Sequence, residues 1–124
     1  VDLDTLYAES DIISVHAPLN EYTENLIDKQ AFEKMKNSCI FLNLGRGPIV
    51  VEQDLYQALV DDQIAAAGLD VLCQEPMSET NPLIRVQDSS RILITPHIAW
   101  ASVEARTRLM QIILNQVKEY FNLI

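Results

Sequence analysis

The stretch "ITPHIAW" (residues 94–100) places a titratable ring, His97, directly after Pro96, where an apolar segment runs out toward a helix. Three other residues are of types from which a polar site is built. Arg46 stands between Gly45 and Gly47, so its guanidinium has little crowding and suits a two-pronged grip on a carboxylate. Glu75 precedes Pro76, and Asp70 closes the small-residue run "AAAGLD". A histidine near a carboxylate has its cationic form stabilised and can act as a general acid near neutral pH. An arginine beside that pair would hold an anionic substrate and polarise its carbonyl. Each residue also has a plain reading: Arg46 as a surface arginine in a tight turn, Asp70 as a helix cap or loop carboxylate, Glu75 as a solvated loop acid, His97 as a satisfied structural histidine. His16 reads as a strand-end residue, near a ligand or packed locally.

The elements that must position these groups alternate along the chain. Leu3, Leu6 and Tyr7 suit a short amphipathic helix, followed by an apolar strand over Ile12 to Val15 that stops at Pro18. Asp28 is placed to cap a helix over "KQAFEKM", with Phe32 and Met35 on one face. "CIFLN" (39–43) is the next strand, a helix follows from about Val51 to Asp61, and "IAAAGLDV" (64–71) is a third buried strand. Residues 73–90 form a long irregular stretch, of a length often associated with function. "RILIT" (91–95) is a fourth strand. The last helix starts near Ser102 and carries an apolar stripe of Val103, Met110, Ile113, Val117 and Tyr120.

Four near-continuous apolar strands separated by helices predict an α/β fold, a parallel sheet covered on both faces. Ligands of open α/β sheets bind off the carboxyl ends of the strands. Here those ends are His16-Ala17-Pro18, Asn43 to Arg46, Asp70-Val71 and Thr95-Pro96-His97, which gathers both histidines, the arginine and a carboxylate. No G-x-G-x-x-G is present, and "GRGPIV" lacks the Lys-Ser/Thr pair of a phosphate loop. If the fold binds a dinucleotide, the pyrophosphate half lies before Val1.

The chain has 124 residues, 48% of them hydrophobic and 22% charged, enough for one modest domain with its own core. A net charge of −9 argues against nucleic acid or an anionic membrane as partner. No apolar run approaches the roughly 18–20 residues that span a bilayer. The chain begins at Val1 and reads as part of a longer subunit. Cys39 and Cys73 read as reduced, mostly buried thiols of a cytoplasmic protein rather than as a disulfide. No short spacing among His16, Cys39, Cys73 and His97 suits zinc.

"NLGRGPIVVEQDLYQAL", "AAAGLDVLCQEP", "NPLI" and "ITPHIAWAS", in this order, resemble the D-isomer-specific 2-hydroxyacid dehydrogenases over essentially the whole chain. The resemblance implies the C-terminal part of a Rossmann-like doubly wound parallel sheet followed by a long C-terminal helix. Residues 1–101 would be the C-terminal portion of the dinucleotide-binding domain, and 102–124 a helix crossing back toward a substrate domain. It further implies hydride transfer between NAD, with NADP left open, and a small 2-oxo or D-2-hydroxy acid. The family's catalytic arginine, glutamate and histidine fall on Arg46, Glu75 and His97, spaced 29 and 22 residues apart. His97 would protonate the carbonyl oxygen, Glu75 would orient the imidazole and favour its protonated form, and Arg46 would bind the substrate carboxylate. Asp70 matches the aspartate that meets the nicotinamide carboxamide. Ala17, Pro18 and Asn20, then Leu44, Gly45 and Arg46, then His97 and Ala99 match segments that line the cofactor. Within the family the chain looks most like the D-glycerate dehydrogenase (hydroxypyruvate reductase) branch. Ala99 and Trp100 stand where many relatives have glycines; Trp100 would either wall the substrate pocket or pack against the last helix. Relatives are commonly homodimers. The rival implication is a non-catalytic, NAD(H)-sensing relative of the co-repressor type.

Overall fold

The computed structural model describes residues 1–122. Its elements follow the order α1 (Leu3–Glu9), β1 (Ile12–Val15), α2 (Lys29–Lys34), β2 (Ile40–Asn43), α3 (Glu52–Val60), β3 (Ala66–Leu69), β4 (Ile92–Ile94) and α4 (Val103–Tyr120). Short 3₁₀ turns at Gly47–Ile49, Pro82–Arg85 and Ser89–Arg91 shape the connections.

Helix starts follow the local chemistry. Asp2 accepts the Thr5 amide at 2.8 Å, Asp28 the Ala31 amide at 3.0 Å and Ser102 Oγ the Ala105 amide at 3.1 Å, each satisfying a donor that the helix itself leaves orphaned. α3 has no such cap, but Glu52 and Asp54 lie in its first turn, where the helix dipole favours acids. Asp54 also accepts the Lys29 amide at 2.9 Å, which joins the starts of α2 and α3.

All strand pairings are parallel, in the order β1-β2-β3-β4, with Ile13, Phe41 and Ala67 in register, and Ala67 opposite Ile92. Arg91 ties the start of β4 to the start of β3: its guanidinium donates to the carbonyls of Ala65 (2.9 Å) and Ile64 (2.6 Å) and to Asp62 (2.6 Å).

One face of the sheet carries the core. Ile13, Phe41, Ala67 and Leu69 join Phe32 of α2 and Leu55, Ala58 and Leu59 of α3 in a single buried cluster. Phe32 and Phe41 meet edge to face at 5.5 Å, the arrangement that opposes positive ring edge to negative ring face. The other face is open: Ile12 is 61%, Ile40 40% and Leu93 67% exposed. The expectation of a sheet covered on both faces is thus not met. The strand order advances steadily in one direction, and right-handed crossovers along such an order place every connecting helix on the same side. α4 does not cover the second side either, since none of its residues is buried. Its apolar stripe stands free.

A second expectation is corrected at the cysteines. Both thiols are free, and Cys39 is buried, but Cys73 is exposed. The chain leaves the sheet at Asp70, so residue 73 already lies in the loop outside it.

Candidate active site

The first three β-strands end in loops that their own polar residues shape. At the β1 end, His16 Nε2 lies 2.8 Å from Ser14 Oγ, a local bond. Asn20 is occupied in its turn: its Oδ1 accepts the Tyr22 amide at 2.9 Å. At the β2 end, Asn43 is 1% exposed. Its Oδ1 accepts the Gly45 amide (3.1 Å) and its Nδ2 donates to the Arg46 carbonyl (3.0 Å), so one buried amide sets the path of Leu44 to Arg46. Arg46 is exposed and its Nη1 donates to the Gly45 carbonyl at 2.8 Å, using one of five donors.

Gly47 joins this loop to the next. A Cβ there would fall onto the Leu72 carbonyl and the Cys73 nitrogen, so only glycine lets the Arg46 turn rest against the chain leaving β3. The Leu72 amide in turn donates to Glu75 Oε1 at 2.9 Å. Glu52 Oε1 accepts the Cys73 amide at 2.7 Å and its Oε2 accepts Asn81 Nδ2 at 2.8 Å, which pins the loop on either side of Glu75. Asn43, Glu52 and Asn81 were not among the residues singled out from sequence. The available signal was a polar residue ending an apolar strand for Asn43; nothing local marks Glu52 or Asn81.

Asp70, 4% exposed, organises the β4 end. Its carboxylate accepts Thr95 Oγ1 at 2.5 Å and the amides of Ile98 and Ala99 at 2.9 Å each, and its backbone carbonyl accepts the His97 amide at 2.9 Å. Burial alone would raise its pKa. The hydrogen bonds from Thr95, Ala99 and Ile98, helped by His97, outweigh burial and hold it below the usual carboxylate range. The plain reading of Asp70 as a loop carboxylate is therefore partly right, and the loop is the one that carries His97.

His97 adopts a left-handed backbone, φ 56°, uncommon for a residue with a side chain. Its Nδ1 lies 2.8 Å from Glu75 Oε2. The Leu72 amide, and then the His97 contact, lower the Glu75 pKa, so Glu75 is an ionised acceptor. An ionised carboxylate cannot donate, so Nδ1 carries the hydrogen and Nε2 is the nitrogen left to face a ligand. Trp100 Nε1 donates to the His97 carbonyl at 3.0 Å, and the indole remains 58% exposed.

Three cavities follow one another along these strand ends. One of about 490 Å³ is lined by His16 to Leu19 and Leu44 to Arg46. A smaller one of about 130 Å³ shares Leu44 with it and adds Asp70 and Thr95. The third, about 400 Å³, shares Asp70 and Thr95 and is lined also by Glu75 and His97, with Leu72, Met77 and Ile94 giving apolar walls. Ala17, Pro18, Leu44, Gly45, Arg46, Asp70 and His97 each line at least one of these neighbouring cavities, Ala99 is bound to Asp70 beside them, and Asn20 faces its own turn. Four parallel strands at about 4.8 Å spacing set these cavities side by side across the strand ends. Gly45 packs tightly between Ala17 and the core: an added Cβ would lie 3.0 Å from the Ala17 carbonyl and 3.3 Å from Ile49 and Val15 side-chain carbons. Asp70 Oδ2, with one bond made, retains a lone pair for an amide donor. These residues fit the nicotinamide half of a dinucleotide; a phosphate-binding glycine loop is not among them. Among the described residues, no cluster of three or more His, Cys, Asp or Glu could hold a metal ion.

A parallel sheet with helices crossing between its strands, and polar groups collected at the strand ends, defines a Rossmann-like dinucleotide-binding domain. Residues 1–99 match the model of the D-isomer specific 2-hydroxyacid dehydrogenase NAD binding domain, and the chain belongs to that family. It is 47% identical over 120 residues to a hydroxypyruvate reductase of Blautia hydrogenotrophica, an alignment covering 97% of this chain and 36% of that protein. It is 44% identical over 117 residues to a glycerate dehydrogenase of Methylorubrum extorquens, covering 94% of this chain and 36% of the relative. The fold superposes on the NAD-complexed D-isomer specific 2-hydroxyacid dehydrogenase of Lactobacillus delbrueckii ssp. bulgaricus with a TM-score of 0.81 and 30% identity, over 98% of this chain and 40% of that one. The chain therefore spans about 36% of the length of the two curated relatives.

Proposed function

We propose that this chain works as the catalytic portion of a longer subunit that reduces a small 2-oxo acid, hydroxypyruvate first among candidates, to the D-2-hydroxy acid. The observation that carries the reading is the His97–Glu75 couple: Nδ1 engaged by an ionised carboxylate at 2.8 Å and Nε2 without a hydrogen-bond partner among the described residues. That couple is a proton donor with its orientation fixed.

In this reading NADH, when bound along the strand ends, supplies the hydride to the carbonyl carbon. His97, protonated on both ring nitrogens, gives its Nε2 proton to the carbonyl oxygen and becomes neutral imidazole, while Glu75 accepts from Nδ1 and holds the ring in place before and after transfer. Arg46 releases the Gly45 carbonyl and turns its fork onto the substrate carboxylate. Asp70 receives an amide donor from the nicotinamide on its remaining lone pair. Ala17, Pro18, Leu44, Gly45 and Ala99 line the cofactor; Asn20 keeps the turn that presents Ala17 and Pro18. α4, with its stripe unburied, docks on the rest of the subunit, so residues 1–101 and 102–124 serve different parts of it. A homodimer in the cytoplasm completes the proposal. No described helix is long and apolar enough to cross a membrane, and the charge of −9 disfavours nucleic acid.

The test is loss of NADH absorbance by the full-length protein offered hydroxypyruvate, glyoxylate, pyruvate and phosphohydroxypyruvate, with His97→Ala alongside. Fast oxidation with hydroxypyruvate, abolished in His97→Ala while NADH still binds, is the expected result. Turnover of another acid alone would discard the branch and keep the mechanism. Silence with all four while NADH binds would point to the sensing relative instead.

A further inference from the structure

We infer that His16 is a cofactor-contact residue: its Nδ1 donates to a ribose or phosphate oxygen of the dinucleotide, and Ser14 positions the ring through its bond to Nε2. The inference rests on the reductase reading for the identity of the ligand, though not for the geometry of the pair.

β1 alternates exposed and buried residues, with Ile13 and Val15 in the core and Ile12 and Ser14 on the open face. His16 continues that alternation just past the strand, so its ring stands beside the Ser14 hydroxyl, with Nε2 at 2.8 Å from Oγ. This bond occupies one ring nitrogen. The other, Nδ1, has no hydrogen-bond partner among the described residues.

The ring borders the cavity of about 490 Å³ that also takes in Ala17, Pro18, Leu44 and Arg46. The chain has 18 Asp and Glu against nine Lys and Arg, yet no carboxylate is found among the described residues lining this cavity. Its two nitrogen-bearing side chains, His16 and Arg46, are both able to donate. Such a lining suits a ligand segment rich in acceptor oxygens, and the ribose–phosphate portion of a dinucleotide is one. Arg46 is assigned to the substrate carboxylate, which leaves His16 as the side-chain donor for the cofactor in this cavity.

A phosphate oxygen only accepts, so Nδ1 must carry the hydrogen. In a neutral imidazole that makes Nε2 the acceptor and the Ser14 hydroxyl the donor to it. Ser14 thus selects the tautomer as well as the angle of the ring. At His97 the roles of the two nitrogens are exchanged: Glu75 engages Nδ1 and Nε2 is left for the ligand.

Three variants of the full-length protein separate the parts. His16→Ala removes the contact, Ser14→Ala keeps the ring but releases it, and Ser14→Thr restores the hydroxyl on a residue suited to a strand. Affinity is measured by calorimetry for NADH and for ADP-ribose, which shares the ribose–phosphate portion and lacks the nicotinamide. Expected is about 10-fold weaker binding of both ligands in His16→Ala, about 3-fold in Ser14→Ala, and recovery in Ser14→Thr. The 15N spectra of the His16 ring should show Nδ1 protonated in the unmodified protein with ADP-ribose bound, and a mixture of tautomers in Ser14→Ala, with the His97 ring unmoved. Unchanged affinity in His16→Ala overturns the inference, as does a loss confined to NADH, which would place the ring at the nicotinamide. Failure of Ser14→Thr to recover what Ser14→Ala loses, or a His97 ring that moves together with His16, overturns the role of Ser14. If the unmodified protein binds both ligands but reduces no acid, the reductase reading fails and the affinities still decide the role of His16.

Discussion

Asn81 Nδ2 donates to Glu52 Oε2 at 2.8 Å, binding the first turn of α3 to a residue 29 positions later, midway along the stretch that carries Glu75. The other Glu52 oxygen holds the Cys73 amide, two residues before Glu75. One side chain thereby braces the loop from both sides. Glu52→Ala removes both acceptors and leaves the 7% exposed Asn81 short of a partner. The expected cost is about 2 kcal/mol, read from the shift in urea midpoint, together with reduced turnover in the full-length protein. Unchanged stability would mean that the loop is held elsewhere.

Asp70 and Glu75 are both held below the ordinary carboxylate range. A carboxylate with a depressed folded-state pKa binds fewer protons folded than unfolded. Its contribution is complete above the unfolded value of about 4 and is lost as pH falls through the folded value. Stability followed by urea titration should therefore drop below about pH 4. Asp70→Asn should be less stable than the parent at neutral pH, by about 2 kcal/mol, since its NH2 replaces one carboxylate oxygen and turns a donor toward either the Ile98 or the Ala99 amide. The gap between the two proteins should narrow on acidification. A constant gap at all pH values would show that the charge of Asp70 is not what holds the turn.

Cys73 is exposed as a residue, yet its thiol turns inward, 3.8 Å from the Val50 carbonyl. Burial of the sulfur, with the charge of Glu52 beside it, pushes its pKa up to about 11. The thiolate is the nucleophile, so iodoacetamide should label Cys73 slowly at neutral pH despite its exposure. The rate should rise steeply toward alkaline pH, and Glu52→Gln should move that rise to lower pH. Rapid labelling at neutral pH would contradict the inward thiol. Cys39, at 0% exposure, should react only on unfolding.

Gly47→Ala places a methyl group against the Leu72 carbonyl and Cys73 nitrogen, which are backbone and cannot step aside. The expected cost is about 3 kcal/mol. Because the displaced segment holds Glu75 through the Leu72 amide, activity of the full-length protein should fall even under conditions where the variant is folded. Loss of stability with full activity per folded molecule would separate the two loops.

Much of this architecture was legible in the residues. Asp28 and Ser102 marked helix starts because a capping side chain acts within three residues. The strand ends were visible because apolar runs stop at Pro18, at Gly45 and at Pro96. His97 and Glu75 meet at 2.8 Å although 22 residues separate them; acid-base chemistry suggested the pair, and the family resemblance assigned it. Glu52 with Asn81, or Asn43 with the Arg46 carbonyl, involve polar side chains that look like ordinary surface or turn residues until the strands are in register. The open face was misjudged for a different reason. Ile12, Ile40 and Leu93 are apolar whether or not something covers them, and composition cannot say which partner does.

Trp100 is the single tryptophan of the chain. All indole emission therefore originates from a ring bonded 3.0 Å from the carbonyl of His97. That emission overlaps the absorption of reduced nicotinamide, so a reduced dinucleotide bound at the strand ends would drain it by energy transfer while the oxidised form would not. These 124 residues would thus carry their own optical gauge of occupancy and redox state, placed at the turn that holds His97.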